Sequence, residues 1–355
     1  MTVTPRPPRS PGKVRAARLT DLAALGELSR LCQSDDAATR SLGLPVSGPP
    51  IGVFSLFRLP LGAFRPNDLM YVYETGGRIA GLVRVEREAS RDEWTIVELD
   101  AVGAADAGDI RYRLVNQLLR EGQKRGAARF HVACADVDDN VELLMQAGFI
   151  RYGEERILFR SPGQAPVRPW TERAAADARI RPAQAIDALA LQRLYAAATP
   201  GPVARLEALR LADWERHGHW RVPRSSLAPI LRFADVEAYV QATDGGGKDG
   251  TMLDGFVQVG VAKEDQPHYL KVLARPDADP QRLIDYGLGI IAARTVKDGD
   301  HHPDHGVIAP VRTYEAPLDR RLEDAGFDSI ASVTLLMKET LVRVAEPALV
   351  PAGVR

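Results

Sequence analysis

Two stretches of this chain are versions of one another. Val14–Leu31 reads VRAARLTDLAALGELSRL and Ile180–Tyr195 reads IRPAQAIDALALQRLY. Asp187, Ala190, Leu191 and Leu194 each stand 166 positions after Asp21, Ala24, Leu25 and Leu28. Further on, Glu142–Phe149 (ELLMQAGF) and Arg320–Phe327 (RRLEDAGF) match at an offset of 178. Self-similarity of this kind marks one structural unit used twice, so an element assigned in one copy must reappear in the other. The growing offset requires an insertion in the second copy, and the Gly-rich stretch Gly245–Gly250 is a candidate for it. Between the copies, Ser161–Asp177 carries prolines at 162, 166 and 169, a linker composition. At about 150 residues per domain, 355 residues agree with two domains. The boundaries read as a disordered tail over 1–12, a first domain over 13–160, a Pro-rich linker over 161–178, a second domain over 179–345 and a tail over 346–355.

The periodicity assigns the elements. In the first copy, Lys13–Ala17 reads as a strand. Asp21–Cys32 reads as a helix, with Thr20 as its N-cap. Asp35–Phe64 is irregular or helical. Leu69–Glu74 and Arg78–Arg87 flank Thr75-Gly76-Gly77 as a β-hairpin, and Trp94–Val102 adds a third strand. A helix over Ile110–Arg125, a strand over Arg129–Cys134 and a helix over Asp139–Ala147 follow. Phe149–Tyr152 and Arg156–Phe159 read as two closing strands. The second copy repeats the order from Val236–Thr243 to Ile330–Lys338. The fold class is α/β (α+β), with a mixed, mostly antiparallel central sheet flanked by helices in each copy.

Composition sets limits. Hydrophobic residues at 45% and charged residues at 26% exclude wholesale disorder. Lys+Arg is 46 against 47 for Asp+Glu, so the basic surplus of a nucleic-acid or membrane-surface binder is missing. No apolar run approaches the roughly 20 residues that span a bilayer. Met1–Pro11 lacks the apolar core of a secretory signal. Cys32 and Cys134 read as two reduced thiols in a cytoplasmic protein. GxSxG, CxxC, HExxH, Walker A and GxGxxG motifs are all absent, which leaves hydrolase, kinase, zinc-protease and Rossmann readings without support.

The element order, with the helix-then-AGF endings at Ala147-Gly148-Phe149 and Ala325-Gly326-Phe327, resembles the GCN5-related N-acetyltransferase (GNAT) superfamily, in tandem over nearly the whole chain. The resemblance implies transfer of an acyl group from acetyl-CoA, or another acyl-CoA, to a small-molecule or peptide amine. It implies a bacterial, cytoplasmic protein whose two domains pack on each other, and it leaves room for a homo-oligomer. The family holds the cofactor's pyrophosphate on a Gly-rich turn opening a helix, where unpaired N–H groups and a partial positive charge favour anions. By that resemblance, Val102, Gly103 and Gly108 are the cofactor contacts of the first copy, and Leu273, Ala274 and Arg275 those of the second. Backbone N–H groups after Val102 or Leu273 would polarise the thioester carbonyl.

Both copies depart from the family pattern. Ala104–Arg111 (AADAGDIR) has one glycine and Arg275–Arg282 (RPDADPQR) has none. Asp109 and Asp279 read as N-caps, with Pro280 at the first helical position, so each copy places an aspartate where a pyrophosphate would bind. The family's tyrosine acid falls on Leu144 and Leu322. These departures support an alternative reading: a catalytically inactive pseudo-acetyltransferase serving as a ligand-binding or protein-interaction module.

Glu98 and Asp100, on one face of the third strand, are either the general base or part of a solvated strand face. The second copy offers His268 and Lys271 on the comparable strand. The acid pair favours the first copy as the active one, and Arg275 favours the second. Trp214, His217 and Trp220 either line the substrate cleft or belong to an amphipathic helix with core tryptophans. Arg205 and Glu207 read as surface residues. His301, His302, Asp304 and His305 read as a solvated loop, and no metal is assigned.

Overall fold

The structure is a computed structural model that describes residues 12–28, 68–88, 92–103, 106–135, 139–164, 179–215, 224–227, 231, 233–243, 252–262, 266–297 and 305–340. The tails, Cys32, Asp35–Phe64, the linker beyond residue 164, His217, Trp220, the Gly-rich insertion and His301–Asp304 lie outside the described residues.

The first repeat runs β1 (Lys13–Ala16), α1 (22–28), β2 (Asp68–Thr75), β3 (Arg78–Glu88), β4 (Glu93–Ala101), α2 (Ala107–Lys124), β5 (Arg129–Cys134), α3 (Asn140–Gln146) and β6 (Ile150–Arg160). The second runs β7 (Ile180–Pro182), α4 (Ala188–Ala198), α5 (Gly201–Glu207), α6 (Leu211–Glu215), β8 (Phe233–Ala242), β9 (Leu253–Ala262), β10 (His268–Ala274), α7 (Gln281–Lys297), β11 (Val307–Arg312), α8 (Ala316–Asp324) and β12 (Asp328–Glu339). Gly76 and Gly77 (φ +57° and +73°) make the two-residue turn between β2 and β3 that the sequence calls for.

All twelve strands form one sheet, ordered β1-β2-β3-β4-β5-β12-β6-β11-β10-β9-β8-β7. The last strand of each repeat is exchanged. β12 lies antiparallel to β5 of the first repeat, β6 lies antiparallel to β11 of the second, and β6 and β12 pair with each other at the centre. The two closing strands read at Phe149–Tyr152 and Arg156–Phe159 are a single strand. Glu154 and Glu155 pair with Thr334 and Val333 of β12, and Glu155 with Arg312 on its other edge, so the ladder runs through the polar gap.

Each half-sheet buries both faces. α2 covers one face of β2–β5 with Leu114, Val115 and Leu118, and α1 covers the other with Leu25 and Leu28. α7 and α4 do the same in the second repeat. A Cβ on Gly81 would meet Ile110 at 2.5 Å, and one on Gly255 would meet Leu283 at 2.2 Å. Equivalent glycines thus admit the equivalent helices onto β3 and β9. The AGF endings are helix stops. Gly148 and Gly326 both have φ +86°, and the Phe149 and Phe327 amides donate to the Leu144 and Leu322 carbonyls, each at 3.0 Å. The exchanged strands cap these same stops reciprocally: Arg160 Nε donates to the Ala325 carbonyl at 3.0 Å, and Lys338 Nζ to the Ala147 carbonyl. A cation at a helix C-terminus is favourable, so each repeat completes a helix of the other.

Thr20 does not cap α1. It lies inside a short 3-10 turn, Leu19–Asp21, which the Asp21 carboxylate closes by accepting the Arg18 amide (2.7 Å) while holding the Arg15 guanidinium (2.6 and 2.9 Å). Asp187 repeats this clasp with the Gln184 amide (2.8 Å) and Arg181 (2.8 and 2.6 Å).

Candidate functional site

Each repeat carries a cleft at the same place, where its first helix crosses the ends of its leading strands beside the turn into α2 or α7. The first has a volume of 1160 Å³ and includes Ala24, Glu27, Leu28, Ile79, Val102 and Gly103 in its wall. The second has a volume of 560 Å³, with Ala190, Arg193, Leu194, Leu253, Arg275 and Pro276 at the corresponding positions. The correspondence is fixed by backbone bonds as well as by the repeat. The Val102 amide donates to the Ala80 carbonyl and the Arg275 amide to the Asp254 carbonyl, both at 2.9 Å.

The two helix openings differ. At α2, Gly103 has φ +102°, and a Cβ on Gly103 or on the exposed Gly108 would meet nothing within 4 Å. Such a backbone leaves room for a phosphate to approach. Asp109 does not cap this helix. Asp106 holds the N-cap position, and Asp109, in the cleft wall, accepts from Arg113 Nε at 2.7 Å. At α7, Asp279 is the cap expected, accepting the Gln281 amide at 3.2 Å, with Pro280 before it. Arg275 bonds both oxygens of Asp277 (3.0 and 2.9 Å), and that contact holds the Asp277 carboxyl below the usual carboxylate range. Leu273 is buried, and Ala274 sits at the end of β10. Among the described residues, the first opening leaves its glycine positions uncovered, while the second is occupied by Asp279 and the Arg275–Asp277 pair.

The parallel strands beneath each opening diverge. β4 and β5 pair only from Glu93–Arg129 to Ile96–Val132, and β10 and β11 only at His268–Val307 and Tyr269–Ile308. In the second repeat the gap beyond is bridged: buried Lys271 reaches from β10 to the Pro310 carbonyl on β11 and to Glu315 Oε2, each at 3.2 Å. The ladder partners equate Lys271, opposite Gln258, with Glu98, opposite Arg84. Glu98 bonds its neighbour on β3, where Arg84 Nε donates to Oε2 at 2.8 Å. Glu98 and Asp100 are 4% and 5% exposed, so the solvated strand face is excluded. β4 is buried on both faces, which sequence alternation does not reveal.

Glu207 is not a surface residue. It is 1% exposed and belongs to a buried polar cluster that draws on both repeats. Arg312 on β11 holds Glu207 (Nη2 to Oε1, 2.8 Å) and Glu155 of β6 (Nε to Oε2, 3.2 Å). Tyr195 donates to Glu207 at 2.5 Å, the Ser226 amide to Glu155 at 2.9 Å, and the Arg312 amide to Glu315 at 2.9 Å. Burial works to deprotonate the guanidinium, but Glu207 and Glu155 outweigh it and hold Arg312 firmly protonated. Burial pushes the Tyr152 hydroxyl up to about 12, with Glu207 adding to the effect. Arg224 carries the cluster across the molecule: its carbonyl accepts from Arg312 and its guanidinium pairs with buried Glu93 of β4. Only the pairing of β6 with β11 brings Glu155 and Arg312 together, so sequence spacing gave no sign of this cluster.

Trp214 is a core residue, stacked edge-on against Phe256 at 6.4 Å and tilted against Tyr195 at 5.9 Å. Leu144 and Leu322 are buried core residues too. Among the described residues no group of three or more His, Cys, Asp or Glu side chains is placed to hold a metal ion, and no helix is long and apolar enough to cross a membrane.

No family model matches the sequence, and no curated protein matches it. Solved structures do match it by shape. A tandem GNAT protein from the clavulanic acid biosynthesis pathway superposes with a TM-score of 0.56 at 11% identity, over 93% of this chain and 98% of that one. A GCN5-related N-acetyltransferase from Sphaerobacter thermophilus gives a TM-score of 0.56 at 16% identity, over 92% and 95% of the two chains. With the repeat, the diverging central strands and the turn into α2 already in view, these full-length matches establish that the chain has the tandem GNAT fold.

Proposed function

We propose that the protein is an acyl-CoA-dependent N-acyltransferase in which the first repeat carries the chemistry and the second is non-catalytic. Its acceptor would be a small-molecule or peptide amine. The observation that carries the assignment is Lys271. Its ammonium group occupies the gap between β10 and β11 that an acyl-pantetheine arm would have to enter, bonding the Pro310 carbonyl and Glu315, whereas the equivalent side chain of the first repeat, Glu98, bonds Arg84 on β3. The glycine backbone at 103 and 108 supports the same choice.

Direct attack of a neutral amine on a thioester needs positioning and a base more than covalent machinery. Asp100 is the base in this proposal. Glu98 takes the positioning role in this reading, because its carboxylate pairs with the Arg84 guanidinium. It fixes the strand face beside Asp100. The domain boundaries at 13–160 and 179–345, and a soluble, cytoplasmic setting, form part of the same reading.

The pseudo-acetyltransferase alternative is favoured by the charge of the first cleft, where five carboxylates face three guanidinium groups. Such a wall opposes a polyanionic nucleotide. Calorimetry with acetyl-CoA separates the two. Ligand at 100 times its dissociation constant raises stability by about 2.7 kcal/mol. Saturable binding that Gly103→Pro abolishes and Lys271→Met leaves unchanged supports the first-repeat site. No binding at millimolar acetyl-CoA overturns the transferase reading. Binding without CoA release across a panel of primary amines favours the module.

A further inference from the structure

The two clefts are equivalent in position and opposite in charge. Glu27 in the first becomes Arg193 in the second, and Val102 becomes Arg275. The first wall has the acidic excess described above. The second carries two guanidinium groups against the single carboxylate of Asp277. Its floor is apolar, made by Leu194, Leu253 and Met252, and Met252 is 53% exposed. Arg193 is exposed on α4. A volume of 560 Å³ lies inside the range of about 300–1,000 Å³ typical of small-molecule sites.

From this juxtaposition of an apolar floor and two arginines at the mouth, we infer that the second cleft binds a small amphiphilic anion, an alkyl chain ending in a carboxylate, free in solution. The head group follows from the geometry of Arg275, whose fork already holds the two oxygens of Asp277. That contact is intrachain and at the surface, so an incoming carboxylate can replace Asp277 or take Arg193 beside it. The tail follows from exposed Met252, which an alkyl chain would cover. The ligand is not a thioester reaching the sheet, because Lys271 closes the gap below. The inference is independent of catalysis in the first repeat, since it needs only the walls of the second cleft.

Decanoate, kept monomeric, is the probe, titrated into the full chain by calorimetry and followed by methyl NMR. Saturable binding to one site with a dissociation constant under roughly 1 mM is expected. Arg193→Glu should weaken it by about tenfold or more through charge reversal at the mouth. Met252→Asp, a separate exposed position, should weaken it comparably. Decylamine should bind far more weakly, and Glu27→Arg in the first cleft should leave decanoate affinity unchanged. Absence of saturation, equal binding of decylamine, or full affinity in both Arg193→Glu and Met252→Asp would overturn the inference. Acetyl-CoA should not compete: competition would place both ligands in one cleft and overturn it as well, whereas a failure of acetyl-CoA to bind leaves the decanoate result standing.

Discussion

At the residue scale, the contrast between Glu98 and Lys271 organises the chemistry. The same strand position carries opposite charges in the two repeats and makes opposite connections. Asp100→Asn should lower acyl-transfer turnover by about 10²–10⁴, the usual worth of a positioned base, read from CoA release. Glu98→Gln should act differently. It removes the charge that Glu98 presents to the buried Arg84 guanidinium, so its main effect should be a loss of about 1.5–3 kcal/mol in urea unfolding, the usual worth of a hydrogen bond to a charged group. A Glu98→Gln protein that keeps its stability and loses turnover would exchange the two roles. Arg312→Met should cost about 3–5 kcal/mol, because Glu155 and Glu207 would both lose the buried guanidinium they share. Adding Glu155→Gln and Glu207→Gln to Arg312→Met should recover much of that loss, since neutral partners leave no uncompensated charge.

At the element scale, the helix openings and the Asp clasps respond to different variables. Asp109 lies in the cleft wall without capping α2, so Asp109→Asn should tighten CoA by several-fold, as a repulsion worth about 1 kcal/mol at 4 Å in water is removed. Asp279→Asn should not change CoA affinity, and it should lower stability by about 0.5–2 kcal/mol through the lost cap. The clasps make a pH prediction. Arg15 lowers the Asp21 pKa. At Asp187, burial alone would raise the pKa, but the bonds from Arg181 and the Gln184 amide bring it below the ordinary value. A carboxyl with a depressed folded-state pKa stabilises above its unfolded value, about 3.9, and loses that contribution as pH falls through the folded value. The wild-type chain should therefore lose stability below about pH 4, and Asp21→Asn with Asp187→Asn should flatten that acid limb in thermal melts across pH.

At the scale of the whole molecule, strand exchange makes each half depend on the other. β12 completes the first half-sheet and β6 the second, while Arg160 and Lys338 cap helices across the boundary. Deleting residues 328–355 should unfold both repeats, and the intact chain should melt in a single calorimetric transition. Two resolved transitions would argue against this interdependence. Cleavage within residues 165–178 should leave the halves associated on size exclusion, since the shared sheet and not the linker joins them. The amino-acid sequence by itself determined the repeat, the order of strands and helices, the glycine helix stops and the Asp279 cap of the second turn, because all of these are local: periodicity, turn chemistry and a motif read within one segment. Only the tertiary structure decided which strand lies beside which, that Glu98, Asp100 and Glu207 are buried, that Lys271 bridges one gap while Glu98 pairs with Arg84, and that the two clefts differ in sign. Those outcomes depend on partners 14 to 191 positions away along the chain, and a residue's own neighbourhood carries no record of which distant chain will cover it.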